Sequence, residues 1–160
     1  MAARPALLSL LLLASVEAGA TLPMPATGLY VAECGGCHTA YAPGYLPAAS
    51  WQRLMDGLSN HFGEDASLKA ETRETLTRQL RALAMDGANA VPAIAARNGS
   101  GWAAAAPERI TTSPFFHYMH DEIPSSFWLR PKIGKKSNCA ACHPNADKGR
   151  YSEAEIYIPK

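Results

Sequence analysis

The sequence has 160 residues, a formal net charge of +1 and a hydrophobic content of 48%. A charge so close to zero offers no basic excess for nucleic acid, and the length allows one domain or two small ones sharing a core. Beyond residue 20 no stretch is apolar enough to span a membrane.

The chain opens with Arg4 ahead of an apolar run from Ala6 to Val16 that holds six leucines, and Ala18-Gly19-Ala20 supplies a small-x-small cleavage pattern. Residues 1–20 are therefore expected to be a signal peptide cleaved after Ala20. The run is about half of the roughly 20 apolar residues a membrane anchor needs. Arg4 and Glu17 leave together, so the remaining 140 residues keep a formal charge of +1.

Leu22-Pro23-Met24-Pro25 is expected to be non-helical, because each proline biases its predecessor towards extended backbone. A short helix is expected from Leu29 to Cys37, leading into Cys34-Gly35-Gly36-Cys37-His38. C-x-x-C-H is the pattern of covalent c-type haem attachment: two thiols three positions apart each add to a vinyl group of one porphyrin, and the next residue offers imidazole to the iron. The pattern returns as Cys139-Ala140-Ala141-Cys142-His143, and the two copies use all four cysteines. A zinc ribbon places its two pairs about 15–20 residues apart, whereas most of this chain separates Cys37 from Cys139. A dithiol or a disulfide framework has no need of a histidine after each pair.

Tyr41 to Pro47 is turn-rich, and reads either as a loop wrapping a porphyrin edge with Tyr41, Tyr45 and Leu46 or as a surface turn. Ser50 is placed to cap a helix in which Trp51, Leu54, Met55, Leu58 and Phe62 recur at helical spacing, with Gly63 at its end. His61 falls on that apolar stripe, as an iron ligand or as a histidine bonding the last carbonyls. A second helix is expected from Ala66 or Ser67 to Ala84, with Leu68, Leu76, Leu80 and Leu83 inward and a mixed-charge solvated face to which no function is assigned. Residues 87–107 are rich in alanine and glycine, read as a connection, with one short helix around Val91 to Arg97.

The third helix is marked by Ser113 as cap, Pro114 in its first turn and Pro124 beyond its end. Phe116, His120 and Ile123 share a face, which favours His120 over His117 as a ligand on periodicity; both stay candidates. Arg130, Lys132, Lys135 and Lys136 either neutralise propionates, form a docking patch or solvate a loop. Glu155 to Pro159 alternates like a short extended strand. None of Met55, Met85 and Met119 is expected to bind iron; Met55 reads as core filler.

Taken together, Glu33 to His38, Leu46-Pro47 with Trp51, His61-Phe62-Gly63-Glu64, Arg109-Ile110-Thr111 with Pro114 and His120, and Asn138 to His143 with Ile156-Tyr157-Ile158-Pro159 resemble the dihaem cytochrome c family. His117 and the alanine/glycine-rich stretch depart from that pattern. The resemblance implies a mainly α fold. An N-terminal cytochrome c-like helical region, residues 21–86, would pack with a smaller, loop-rich C-terminal haem region, residues 108–160. It implies two covalently bound haem c groups attached through Cys34, Cys37, Cys139 and Cys142, with His38 and His143 as attachment-side ligands and His61 and His120 opposite them. His61 lies 23 residues after His38 and His120 lies 23 before His143, so local pairing is the simplest arrangement.

The family's members are periplasmic electron carriers; a small oxygen-binding monohaem cytochrome is the implied electron acceptor and a membrane cytochrome b the implied source. An iron with two imidazoles has no open position, which suits a carrier. A dihaem peroxidase or reductase, or a haem gas sensor, would need one open iron; the enzyme would also need acid/base groups beside it.

Overall fold

The computed structural model describes residues 22–25, 27–92, 95 and 101–160. The expected signal peptide lies outside the described residues, as does most of the helix expected around 91–97. Among the described residues there are helices, 3-10 turns and loops, and no named strand.

Helix α1, Leu29–Cys34, is shorter than expected: it stops at Gly35, whose N–H donates to the Val31 carbonyl, so Cys37 and His38 lie beyond it on a turn. Residues 42–47 are buried rather than a surface turn, and Tyr41 before them is half-buried. Pro43–Tyr45 form a buried 3-10 turn, and Leu46 is only 2% exposed. The buried indole of Trp51 holds this turn by donating from Nε1 to the Pro43 carbonyl at 2.8 Å.

Helix α2 spans Ala48–Asp56, and its cap differs from the expectation. Pro47, with φ −71°, takes the N-cap position, and the Ala48 N–H is satisfied from elsewhere in the chain by Asp86 Oδ1 at 2.7 Å. Ser50 therefore lies inside the helix, fully buried, and its Oγ has no hydrogen-bond partner. The helix also ends at Gly57, six residues before Gly63, because Asp56 and Gly57 are both poor helix formers. A 3-10 turn, Leu58–Asn60, follows.

Helix α3, Ala70–Leu83, begins later than expected. The Asp65 side chain accepts from the Ser67 N–H at 2.9 Å, a local bond that competes with helix initiation. Leu76 and Leu80 are completely buried, and α3 packs against α2 through them, with Tyr30, Leu46, Trp51, Met55 and Leu58 completing the N-terminal core.

A second cluster joins the two ends of the chain. Leu22, Ala42, Tyr45 and Met85 are buried together, with Trp102, Phe115 and Tyr151 packed against them. Helix α4, Pro114–Met119, has the predicted start: Ser113 Oγ accepts from the Phe116 N–H at 3.0 Å, and Pro114 fills the first turn. It is one and a half turns long, so His120 is its C-cap and Ile123 lies outside it. The tail is not a paired strand. Residues 153–155 form a 3-10 turn, and beyond it the Tyr157 N–H donates to the Cys142 carbonyl at 2.9 Å.

Candidate functional site

The first motif leaves α1 with Cys34 half-buried and Cys37 and His38 exposed. His38 Nδ1 is 2.8 Å from the Thr39 carbonyl, which can only accept, so Nδ1 carries the proton and Nε2 keeps its lone pair for a metal. The ring also lies on Tyr41, with centroids 5.0 Å apart and planes inclined 22°.

His61 reaches the same place from a tight turn after α2. Its backbone pairs in both directions with Glu64, at 2.7 and 3.3 Å, and Asn60 Oδ1 accepts from the Gly63 N–H. The turn requires left-handed backbone at Phe62, φ 57°, and Gly63, φ 104°. Phenylalanine rarely adopts this conformation. Arg109 from the C-terminal region holds it, with its guanidinium 3.8 Å from the centre of the Phe62 ring. The periodicity that placed Phe62 on a buried stripe is overridden by this turn: its ring is 45% exposed. His61 is partly buried, and burial first, then the nearby His38 and Arg109, lower its pKa and favour the neutral imidazole.

The second site is a cavity of about 750 Å³ whose lining includes His120, Cys139, Cys142, His143, Phe116 and Trp128. That volume lies within the range of cofactor pockets. His120 Nδ1 is 2.9 Å from the Phe116 carbonyl, which fixes the tautomer as at His38. His143 is lowered in pKa by burial first and then by His120. None of the four cysteines is in a disulfide, and before attachment burial pushes the Cys34 and Cys139 thiols up to about 11.

The histidines thus come together as two pairs. His38 and His61 have ring centroids 6.2 Å apart, and so do His120 and His143. With a metal–imidazole bond of about 2 Å on each side, two ring centres on opposite faces of one iron stand roughly 6 Å apart, so the spacing fits a haem iron between them. The donor set fits as well. Among the described residues no group of three or more potential ligands could hold a bare ion, whereas a macrocycle brings its own equatorial nitrogens. His117 is exposed and belongs to neither pair; its ring meets the edge of Phe116, at 6.1 Å.

Tyr41, Phe62, Arg109, Trp128 and Tyr151 surround these pairs. Periodicity gives no sign of these contacts, because each is made across long sequence separations or from an irregular turn. Arg109 over Phe62 and Tyr41 beside Ser137 bring residues from opposite halves of the chain together.

The family model described as dihaem cytochrome c matches residues 30–151. Among solved structures, the diheme cytochrome type c from Shewanella baltica OS155 is 34% identical, with 85% of this chain and 95% of that one covered and a TM-score of 0.68. The diheme cytochrome c from Rhodobacter sphaeroides is 39% identical, with 79% and 97% covered and a TM-score of 0.67. A comparison with the curated proteins returns no match. The two attachment motifs, the two facing histidine pairs and these likenesses lead to one conclusion: the chain belongs to the dihaem cytochrome c family, and it carries two covalently bound haem c groups.

Proposed function

We propose that this protein is an exported, periplasmic electron carrier whose two haems are each bound by two histidines. The observation that carries the reading is the pair of 6.2 Å histidine separations, each made by one motif histidine and one from elsewhere in the chain. Haem iron supplies a one-electron couple when bound. His38 and His143 would take the attachment side and His61 and His120 the opposite side. Cys34 and Cys37 anchor one porphyrin and Cys139 and Cys142 the other. In each link a sulfur–carbon bond would form and the thiol hydrogen would go to the neighbouring vinyl carbon.

Two imidazoles leave no coordination position for oxygen or peroxide, and this favours carriage of electrons over chemistry on a bound molecule. The resemblance supports delivery to a soluble acceptor such as a small oxygen-binding monohaem cytochrome, with a membrane cytochrome b as the source. The leader-like residues 1–20 support export, and no described helix is long and apolar enough to cross a membrane.

The test is direct. Protein made with the cytochrome c assembly machinery should begin near Thr21 and keep the mass of two haems after denaturation. Its ferric absorption spectrum should be low-spin and lack the weak near-red band of iron–sulfur ligation, and the ferrous form should not bind carbon monoxide. Carbon monoxide binding by the wild type would overturn the carrier reading in favour of an open-iron enzyme or sensor. Four free thiols would overturn the attachment itself.

A further inference from the structure

The two histidine pairs share a separation but not an orientation. The ring planes of His38 and His61 are inclined by 25°, whereas those of His120 and His143 stand at 87°. The motifs themselves do not cause this, since both are C-x-x-C-H. The surroundings do.

At the second site the His120 ring is stacked on Phe116, centroids 4.2 Å apart and planes at 23°, and its Nδ1 is tied to the carbonyl of the same residue. Phe116 is itself buried, at 6% exposure, and its N–H is bound to Ser113 Oγ. Trp128 lies against both rings, 5.9 Å from Phe116 and 5.8 Å from His120. His143 is held from another direction by Tyr151, 5.2 Å away, which meets the buried Tyr45 edge to face at 4.9 Å. The two rings are therefore held by separate supports, Phe116 nearly parallel to His120 and Tyr151 tilted by 58° to His143. At the first site the corresponding support is Tyr41, inclined by 22° to His38, and His61 is inclined by 25° to His38.

Ring orientation matters because imidazole interacts with iron through the π orbital perpendicular to its own plane. Parallel rings act on the same iron d orbital and separate it from its partner in energy. Crossed rings act on one orbital each and leave the two nearly equal. Hydrogen bonding and packing around a ligating histidine are the means by which a protein fixes this angle.

We propose that this chain holds its two axial pairs in opposed arrangements, near-parallel for His38 and His61 and crossed for His120 and His143, with Phe116 as the positioning residue that sets the crossed pair. The proposal rests on the two-histidine reading of both haems. It makes the haems electronically different although their ligands are chemically identical.

Electron paramagnetic resonance of the oxidised holoprotein tests it. The wild type should give two low-spin signals of equal weight: one rhombic, with three resolved features, and one strongly anisotropic, seen as a single low-field feature. His120→Ala should remove the low-field signal and His61→Ala the rhombic one. Phe116→Leu should move the low-field feature towards the rhombic position with the haem still low-spin, and Phe116→Tyr, which keeps the stacking ring, should restore it. Two rhombic signals in the wild type, or a low-field feature unmoved in Phe116→Leu, would overturn the proposal. Should Phe116→Leu fail to take up haem, the wild-type spectrum and the two histidine variants still decide whether the pairs are opposed, and Phe116→Tyr losing the low-field feature would overturn the role of the ring. A high-spin signal in the wild type would instead overturn the two-histidine reading, and is distinct from either result.

Discussion

His117 and His120 stand three residues apart, yet they have different surroundings. His120 closes α4, bonds the Phe116 carbonyl through Nδ1 and faces His143; His117 points to solvent. His120→Ala should therefore convert one haem to a high-spin form that binds carbon monoxide, and His117→Ala should stay low-spin with a nearly unchanged potential. Carbon monoxide difference spectra of the two variants check this, and the opposite outcome would reassign the ligand. His61 depends on a different kind of local structure. Its turn requires a phenylalanine at positive φ, a conformation that costs on the order of 1–3 kcal/mol and persists only when neighbours enforce it. Asn60, the His61–Glu64 backbone pair and Arg109 supply that enforcement.

Among the elements, α4 is too short to be stable alone, since isolated helices under about 12 residues are marginal in water. Its cap therefore matters more than usual. Ser113→Ala removes the acceptor for the Phe116 N–H and should cost about 1 kcal/mol, read as a lower midpoint in denaturant. The second haem's spectrum should respond before the first, because the cap holds Phe116 and hence His120. Helices α2 and α3 form the other rigid unit. Leu76 is fully buried between them, so Leu76→Ala should destabilise the protein by about 2–5 kcal/mol, measured by denaturant titration of the holoprotein. The electron paramagnetic resonance signal of the second haem should be unchanged by it under native conditions, because Leu76 lies in the N-terminal core cluster.

At the scale of the molecule, the ends of the chain and its two haem regions are fastened by a few specific contacts. The Leu22 N–H donates to the Gly149 carbonyl at 2.9 Å, and Tyr41 Oη donates to the Ser137 carbonyl at 2.8 Å, next to the second motif. Tyr45 packs on Tyr151 and Phe115, so a residue just after the first motif forms part of the second cavity. Gly149 has φ +69°, and a Cβ there would stand 2.4 Å from the Leu22 carbonyl oxygen. Gly149→Ala should thus lose about 1–3 kcal/mol through backbone strain and the clash. Limited proteolysis should show the segment near Leu22 released, with both haems still attached.

The sequence alone determined the cofactor, because the pattern of covalent attachment is encoded in five contiguous positions and needs no tertiary contact to be recognised. It also determined α4 at its start, where Ser113 and Pro114 act locally on the backbone. What it misplaced are features decided by distant partners: Asp86 satisfying the first turn of α2 in place of Ser50, and Arg109 holding Phe62 out of the core. His61 was legible as a candidate, but its position on a turn rather than a helix stripe was not, since Gly57 and the turn backbone overrode the apolar period. The angle between paired imidazoles could be found only in three dimensions. It depends on which aromatic ring supports each histidine, and Tyr41, Phe116 and Tyr151 take those places through packing that no local pattern records.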